Sequence, residues 1–151
     1  MKNKITESKE PLTVEAIELF ERAIETRLPS DYKEFLLLSN GGRPERTRFA
    51  VEGWPGEFGD VHFFWSINFA SQGSLEWWFR ELADPLIQNN LLAIGVDLGG
   101  NFITIGTSET NFGEIWYWDP TYDYIELTEG KMFYYLSKNI FDFVENLESD
   151  E

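Results

Sequence analysis

The sequence has no cysteine, a single histidine and no long apolar run. Without cysteine the chain has no disulfide framework, no thiolate nucleophile and no cysteine ligand for a metal ion. His62 alone, with no H-E-x-x-H spacing, cannot build a zinc site, and its place in a predicted strand favours a structural role. No stretch approaches the ~18 apolar residues of a membrane span, and residues 1–12 lack the apolar core of a signal peptide. We therefore expect a soluble, cytoplasmic protein without metal or cofactor.

Basic residues are scarce in most of the chain. Residues 1–48 contain nine acidic and nine basic side chains, whereas residues 49–151 contain eighteen acids and only Arg80, Lys131 and Lys138 as bases. The second part therefore carries the whole net charge of −15. Nucleic acid is disfavoured as a direct partner because it binds cationic groups, whereas a basic protein would be attracted to such a surface. The simpler alternative is that the acidic residues keep the protein soluble.

Apolar and aromatic residues are abundant. Hydrophobic residues make up 42% of the 151 residues and aromatic residues 17%, which excludes intrinsic disorder, because disordered chains are poor in both. A chain of this length folds as one domain and buries enough surface for a core without disulfides. We predict a single domain over residues 1–151, with flexible ends at residues 1–12 and 148–151.

Two N-terminal helices are predicted from apolar spacing and capping residues. The first runs from its N-cap at Thr13 to about Thr26. Its predicted apolar face consists of Val14, Ile17, Phe20 and Ile24. Pro29 separates it from a second helix, which Ser30 is predicted to cap. Asn40-Gly41-Gly42 ends that helix, because these residues accept the left-handed conformation of a helix C-terminus.

The rest of the chain predicts a sheet and further helices. Alternating apolar residues and turn signals predict strands at residues 49–52, 61–68, 91–96, 101–107, 114–119 and 124–127. Residues 53–60 are predicted to form a loop. Helices are predicted over residues 74–84, ended by Pro85, and over residues 132–147. Tight turns between consecutive strands favour antiparallel pairing. The predicted fold class is α+β: a central, mostly antiparallel sheet flanked by an N-terminal helix pair and a C-terminal helix.

Three short motifs resemble those of the SMI1/KNR4 family of the SUKH superfamily. The first is LPxDYKEFLLxxNGG from Leu28 to Gly42, the second is D-x-G-G-N from Asp97 to Asn101, and the third is the strand IWYWD that ends at Asp119. The resemblance spans about residues 13–145. Pro120 departs from it, since many relatives carry a polar residue there.

The resemblance implies the family's fold, with structural roles for its motif residues. These residues are Leu28, Pro29, Tyr32, Phe35, Leu36, Asn40, Gly41, Gly42, Asp97, Gly99, Gly100, Asn101, Trp118 and Asp119. It also implies a function, because members of the family look mostly like immunity proteins that neutralise secreted bacterial toxins. Eukaryotic relatives in cell-wall signalling suggest the alternative of a general interaction or regulatory module without a toxin partner.

No constellation of residues predicts catalysis. Gly99-Gly100 lacks the Lys-Ser/Thr and the following helix of a phosphate-binding loop, and a hairpin turn explains the two glycines. Asp97 and Asp119 would need to face one cleft at roughly 5–10 Å to act as a glycosidase pair, and nothing in the sequence indicates that they do. A glycan-active protein with tryptophans lining a sugar site remains an alternative. We predict a protein that is not an enzyme.

Loop aromatics among acidic residues predict a surface for a basic protein, because tryptophan and other aromatics often anchor interfaces. The speculative partner-binding residues are Trp54, Glu57, Phe58, Asp60, Glu109, Glu114 and Asp123. Trp54 is open to a second interpretation, in which its ring folds back onto the domain. Of the adjacent Trp77 and Trp78, one ring is predicted to stay exposed. The expected partner is a basic toxin domain of a secreted or contact-delivered toxin, with a nuclease as the natural example.

Overall fold

The computed structural model describes residues 1–68, 72–121 and 124–150. In chain order the elements are β1 (Ile5–Thr6), α1 (Val14–Ile24), α2 (Ser30–Leu38), β2 (Arg43–Pro44), β3 (Arg48–Ala50), β4 (Phe58–Phe64), α3 (Leu75–Gln88), β5 (Leu91–Asp97), β6 (Phe102–Gly106), β7 (Ile115–Trp118), β8 (Phe133–Ser137) and α4 (Ile140–Glu145).

The centre of the fold is a six-stranded sheet in the order β3-β4-β5-β6-β7-β8. Every neighbouring pair in it is antiparallel. A separate two-stranded sheet pairs β1 with β2. Strands consecutive in the chain are neighbours throughout this meander, although only β5 and β6 are joined by a tight turn and α3 lies in the connection from β4 to β5. The predicted α+β class with a mostly antiparallel sheet is confirmed.

One face of the sheet is completely buried, and we call it the inner face. Its residues in β6, β7 and β8 are Ile103, Ile105, Ile115, Tyr117 and Tyr134, each at most 1% exposed. Side chains from β3 and α4 pack on it, with the ring of Phe49 5.5 Å from that of Tyr117 and 5.4 Å from that of Phe143. Burying one large apolar side chain contributes about 1.5–3 kcal/mol, so this face supplies much of the driving force for folding.

The N-terminal helix pair is present. Of its two predicted capping residues, Thr13 is confirmed and Ser30 is wrong. Thr13 caps α1, because its Oγ1 accepts a hydrogen bond from the Ala16 amide at 3.1 Å. Ser30 does not cap α2. The helix already includes Ser30, its N-cap position is Pro29, and no side chain bonds to its first amides. Val14 was expected on the apolar face of α1 but is 53% exposed, since it lies in the first turn beyond the edge of the core.

Pro85 does not end α3, which continues to Gln88. A proline inside a helix lacks one N–H donor and its ring crowds the carbonyl four residues earlier, which weakens the helix locally but here does not end it. The C-terminal end of α3 is stabilised by Asn89, whose Nδ2 donates to the carbonyl of Pro85 at 2.8 Å. The N-terminus is held by Ser74, whose Oγ accepts from the Trp77 amide.

The closing helix predicted over residues 132–147 is wrong in its first half. Phe133–Ser137 is a strand, β8, and the helix α4 covers only Ile140–Glu145. Aromatic residues favour strands, and pairing Phe133 with Trp118 extends the sheet, so tertiary contacts override the helical spacing. Asn139 starts α4 by accepting from the Asp142 amide at 2.8 Å. The strand predicted at residues 124–127 is also wrong, because these residues form turns.

Strand β4 begins and ends earlier than predicted. Phe58 and Asp60 belong to it rather than to a loop, and it ends at Phe64 rather than at Asn68. The register shifts between Val61 and Phe63, so the alternation reverses there. Phe64 rather than Phe63 consequently reaches the inner face.

Both chain ends contact the body of the domain. Asn3 is buried, and its Nδ2 donates to the carbonyl of Val144 at 2.9 Å. At the other end, Glu148 forms an antiparallel bridge with Arg48. Residues in both segments predicted to be flexible therefore have specific partners in the fold.

The Asn40-Gly41-Gly42 segment ties several loops together. Asn40 exchanges hydrogen bonds with the backbone N–H and C=O of Ile67 at 2.9 Å, and its Nδ2 also donates to the Glu10 carbonyl. Gly41 and Gly42 have φ values of 72° and 118°, where a side chain is strained. A Cβ on Gly42 would also lie 2.4 Å from the Thr6 carbonyl oxygen.

Candidate protein-interaction surface

The predicted partner residues fall at two opposite ends of the sheet. Trp54 and Glu57 lie in the loop between β3 and β4, and Phe58 and Asp60 follow in β4. The register places this loop beside the last residue of β5, whereas Glu109 and Glu114 lie in the connection from β6 to β7 at the other end. Asp123 lies outside the described residues. The structure therefore brings four of the seven candidates together.

Trp54 folds back onto the domain. Its ring is 5.1 Å from Tyr117 and 5.8 Å from Tyr124, with both contacts edge-on. Its Nε1 donates to Oδ2 of Asp119 at 2.8 Å. These contacts leave the indole half-buried, with its N–H engaged inside the protein.

Polar motif residues form a buried network beneath Trp54. The hydroxyl of Tyr117 donates to Asp97 and accepts from Asn101 Nδ2 at 3.0 Å. The backbone N–H of Asn101 donates to Asp97 Oδ1 at 2.9 Å. Burial, followed by the hydrogen bond to Asp97, raises the pKa of Tyr117 above its ordinary value of 10.0. The nearby turn holds Gly100 at a φ of 89°, and strand β6 follows it rather than a helix.

The carboxylates of Asp97 and Asp119, the pair that a glycosidase would require, both accept hydrogen bonds from the protein. Asp97 accepts from Tyr117 and from the Asn101 amide. Asp119 accepts from Trp54 and, through its other oxygen, from the amide and hydroxyl of Thr121. Both residues are at most 5% exposed. These contacts give each carboxylate a structural function.

Asp60 has intramolecular partners. Its carboxylate accepts from Arg48 Nη2 at 3.1 Å and from the Thr47 hydroxyl at 3.0 Å. The hydrogen bond to Asp60 raises the pKa of Arg48. The Arg48 guanidinium also lies 6.0 Å from the centre of the Phe58 ring. The charge of Asp60 is therefore largely balanced within the fold.

The exposed apolar residues beside this ion pair are Phe58 and Leu98, at 54% and 62% exposure. Leu98 lies in the β5–β6 turn, and its amide donates to the Asp60 carbonyl at 2.9 Å. Glu52 and Glu57 are exposed in the adjacent loop. We call Glu52, Glu57, Phe58 and Leu98 the hairpin patch. Sequence reasoning missed Leu98, although an apolar residue inside the polar turn Asp97-Leu98-Gly99-Gly100 was a signal of exposure.

The outer face of the sheet carries a row of apolar side chains across five strands. The register aligns Phe63, Val96, Phe102, Trp118 and Phe133, one from each strand from β4 to β8. Helix α3 covers part of this row, with the ring of Trp78 5.7 Å from that of Phe102. The Trp78 ring also stacks on Trp65 at 4.6 Å. Trp77 packs edge-on against Trp78 at 4.9 Å, and both rings stay half-buried rather than one buried and one free.

The opposite end of the sheet offers a weaker candidate. Glu114 is half-buried and accepts from Trp116 Nε1 at 3.3 Å, so part of its carboxylate is engaged. Glu109 is exposed. The exposed aromatic in this connection, Phe112, lies 5.9 Å from the guanidinium of Arg27.

Two further properties bear on the classes of site. Within residues 1–68, 72–121 and 124–150, no group of three or more His, Cys, Asp or Glu side chains is arranged to hold a metal ion. In the same part of the chain, no helix is long and apolar enough to cross a membrane.

Comparison with known families agrees with the motifs and the fold. The model of the SMI1/KNR4 family (SUKH-1) matches residues 11–146, which is most of the chain. No curated protein matches the chain significantly. Domains of this family are generally non-catalytic modules of the immunity or SMI1-like type that act through protein–protein interaction. The chain belongs to the SMI1/KNR4 family (SUKH-1).

Proposed function

We propose that this protein is an immunity protein that binds and neutralises the toxic domain of a secreted or contact-delivered bacterial toxin in the cytoplasm. The observation that carries the proposal is the hairpin patch, in which two exposed apolar side chains lie among carboxylates. The chain belongs to a family of immunity-type domains, and the hairpin patch lies in the acidic part of the chain. No catalytic step is proposed, since inhibition requires only that the bound protein cover the toxin's active site.

The composition of the hairpin patch suits a basic partner. Phe58 and Leu98 offer apolar area that a partner can desolvate, and such central contacts supply most of the energy of an interface. Glu57 directly precedes Phe58 and Glu52 is exposed in the same loop, and this negative charge favours approach by a basic surface. A toxin that cleaves nucleic acid has such a surface, because it must bind phosphates.

The test examines the gene next to the one for this chain and, where it encodes a toxin domain, measures binding of that purified domain. We expect the double variant Phe58→Ala/Leu98→Ala to bind at least roughly tenfold more weakly, since each side chain removed from an interface core costs on the order of 1–2 kcal/mol. The matched control is Leu19→Ala, an apolar residue of α1 that is 50% exposed and lies outside the hairpin patch. It should bind as the wild type does.

Two outcomes would contradict the proposal. If the wild-type chain neither binds the toxin domain nor protects cells that express it, the immunity function is wrong and a general regulatory module becomes the better description. If the wild type binds but the double variant binds equally well, the function stands and the assignment of the hairpin patch is wrong.

A further inference from the structure

The two edge strands of the six-stranded sheet face each other across a groove. The sheet curves so that β3 and β8 line the same depression of about 270 Å³. Ala50 and Phe58 line one wall, Leu136 and Ser137 line the other, and Phe143 of α4 contributes to the lining between them. An edge strand presents unpaired backbone N–H and C=O groups, which can pair with an added strand.

The backbone of β8 has free pairing capacity on its outer side. The Asp119 amide donates to the Met132 carbonyl, which makes these two residues a hydrogen-bonded pair. In an antiparallel ladder such pairs alternate, so the N–H and C=O of Phe133 and Tyr135 point away from β7. Across residues 124–150 and the rest of the described chain, β7 is the only strand paired with β8.

The strand also lacks the usual protection of a sheet edge. Phe133–Ser137 contains no charged residue and no proline, and Tyr135 is 48% exposed. Natural edge strands commonly carry charged residues or proline, which prevent another strand from pairing with them. The flanking lysines have other partners: Lys131 lies over the Tyr134 ring at 4.7 Å, and Lys138 pairs with Asp142 at 3.3 Å.

The other edge is covered only up to the groove. Arg48 exchanges two backbone hydrogen bonds with Glu148, at 2.8 and 2.9 Å, so the chain's own C-terminal segment adds a bridge there. Two residues later, Ala50 is exposed, and the N–H and C=O of Ala50 point away from β4 as those of Arg48 do. This follows because the next residue, Val51, donates its N–H to the Glu57 carbonyl, and inward and outward pairs alternate along the ladder. The pairing of β3 with the C-terminal segment of the same chain therefore ends at Arg48, and the backbone of Ala50 stays unpaired at the groove.

We infer that this groove binds an extended segment of the basic partner protein, which adds as a strand to β8. This inference rests on the proposed function for the identity of the partner and adds how that partner is held. The Phe58 side chain lines the groove and also belongs to the hairpin patch, so the two surfaces are continuous. Glu148 at the groove and the net charge of −15 favour a basic segment.

A second copy of this chain fits the groove less well. Joining two chains that each carry a net charge of −15 would add electrostatic repulsion across the interface. The segment is therefore assigned to a different protein.

The test removes one backbone N–H while keeping the fold. Tyr135→Pro deletes an N–H on the free side of β8, next to Leu136 in the groove wall, and proline is tolerated on the solvent side of an edge strand. Tyr135→Ala is the matched control, because it removes the same side chain and keeps the N–H. With the toxin domain from the adjacent gene, we expect Tyr135→Pro to bind about tenfold more weakly than Tyr135→Ala. Equal thermal midpoints of the two free variants establish that the fold is retained.

Amide hydrogen exchange of the wild type supplies a second measurement that needs no variant. Binding should slow exchange at Phe133 and Tyr135, whose amides point away from β7 on the free side of β8. Unchanged exchange at both residues in a saturated complex, or equal affinity of the two variants, would overturn the groove inference while leaving the immunity function standing. Failure of the wild type to bind overturns both. A dimer of the free protein that Tyr135→Pro abolishes would reassign the groove to a second copy.

Discussion

The buried polar residues at one end of the sheet are bonded to each other and to backbone. Asp97, Asn101 and Tyr117 form one set of hydrogen bonds, and Asp119 with Trp54 forms another. A buried polar group without a partner costs about 1–3 kcal/mol, so these pairings allow the motif residues to be buried at all. The motifs that identify the family are therefore used to build the scaffold. The exposed carboxylates of the hairpin patch lie beside them, in the loop from β3 to β4.

Tyr117→Phe should destabilise the protein and change its response to alkaline pH. At pH 7 the loss of the hydroxyl leaves Asp97 and Asn101 short of a partner, so the free energy of unfolding should fall by roughly 1–3 kcal/mol. Because burial raises the pKa of Tyr117 above 10.0, the folded state keeps a proton that the unfolded state releases. Stability is therefore fully present below pH 10 and falls above it.

Urea unfolding from pH 7 to pH 11 checks both parts of this prediction. Above pH 10, the slope of unfolding free energy against pH should be shallower for Tyr117→Phe than for the wild type. The slope will not vanish, since burial also raises the pKa of Tyr32 and Tyr134. Parallel slopes for Tyr117→Phe and the wild type would refute the assigned role.

At the scale of elements, local signals identified much of the fold, and distant contacts decided the rest. Thr13 was predicted as a cap because its partner lies three residues away. Strand β8 was missed because its pairing residue, Trp118, is far along the chain, while its apolar spacing also fits a helix. Arg48 and Asp60 pair across strands, so the sequence could not show that Asp60 is neutralised. Leu98 is exposed only because its turn projects from the sheet.

The helix starts offer a direct test of the structure against the sequence. Asn139→Ala should lower the free energy of unfolding by about 1 kcal/mol, because Asn139 accepts from the Asp142 amide at the start of α4. Ser30→Ala should change it by less than about 0.5 kcal/mol, since Ser30 is exposed and caps nothing. Urea unfolding of both variants measures the difference. A larger loss for Ser30→Ala would restore the cap that the sequence predicted.

At the scale of the whole molecule, the uneven charge should control how fast the partner binds. Residues 1–48 are neutral and residues 49–151 carry −15, so the field is strongest around the later part of the chain. Such a field raises association rates by roughly 10–10³ at low salt. The association rate constant with the toxin domain should therefore fall steeply with ionic strength, while the dissociation rate changes little. Stopped-flow mixing at several salt concentrations measures both.

Two double variants localise that effect. Glu52→Gln/Glu57→Gln removes two charges from the hairpin patch, and Glu15→Gln/Glu18→Gln removes two exposed charges from α1 in the neutral part. Both variants have the same net charge, so any difference between them reflects position alone. The first should slow association several-fold and flatten its salt dependence, whereas the second should stay near the wild type. If the two variants slow association equally, the whole negative field attracts the partner and the hairpin patch does not guide it.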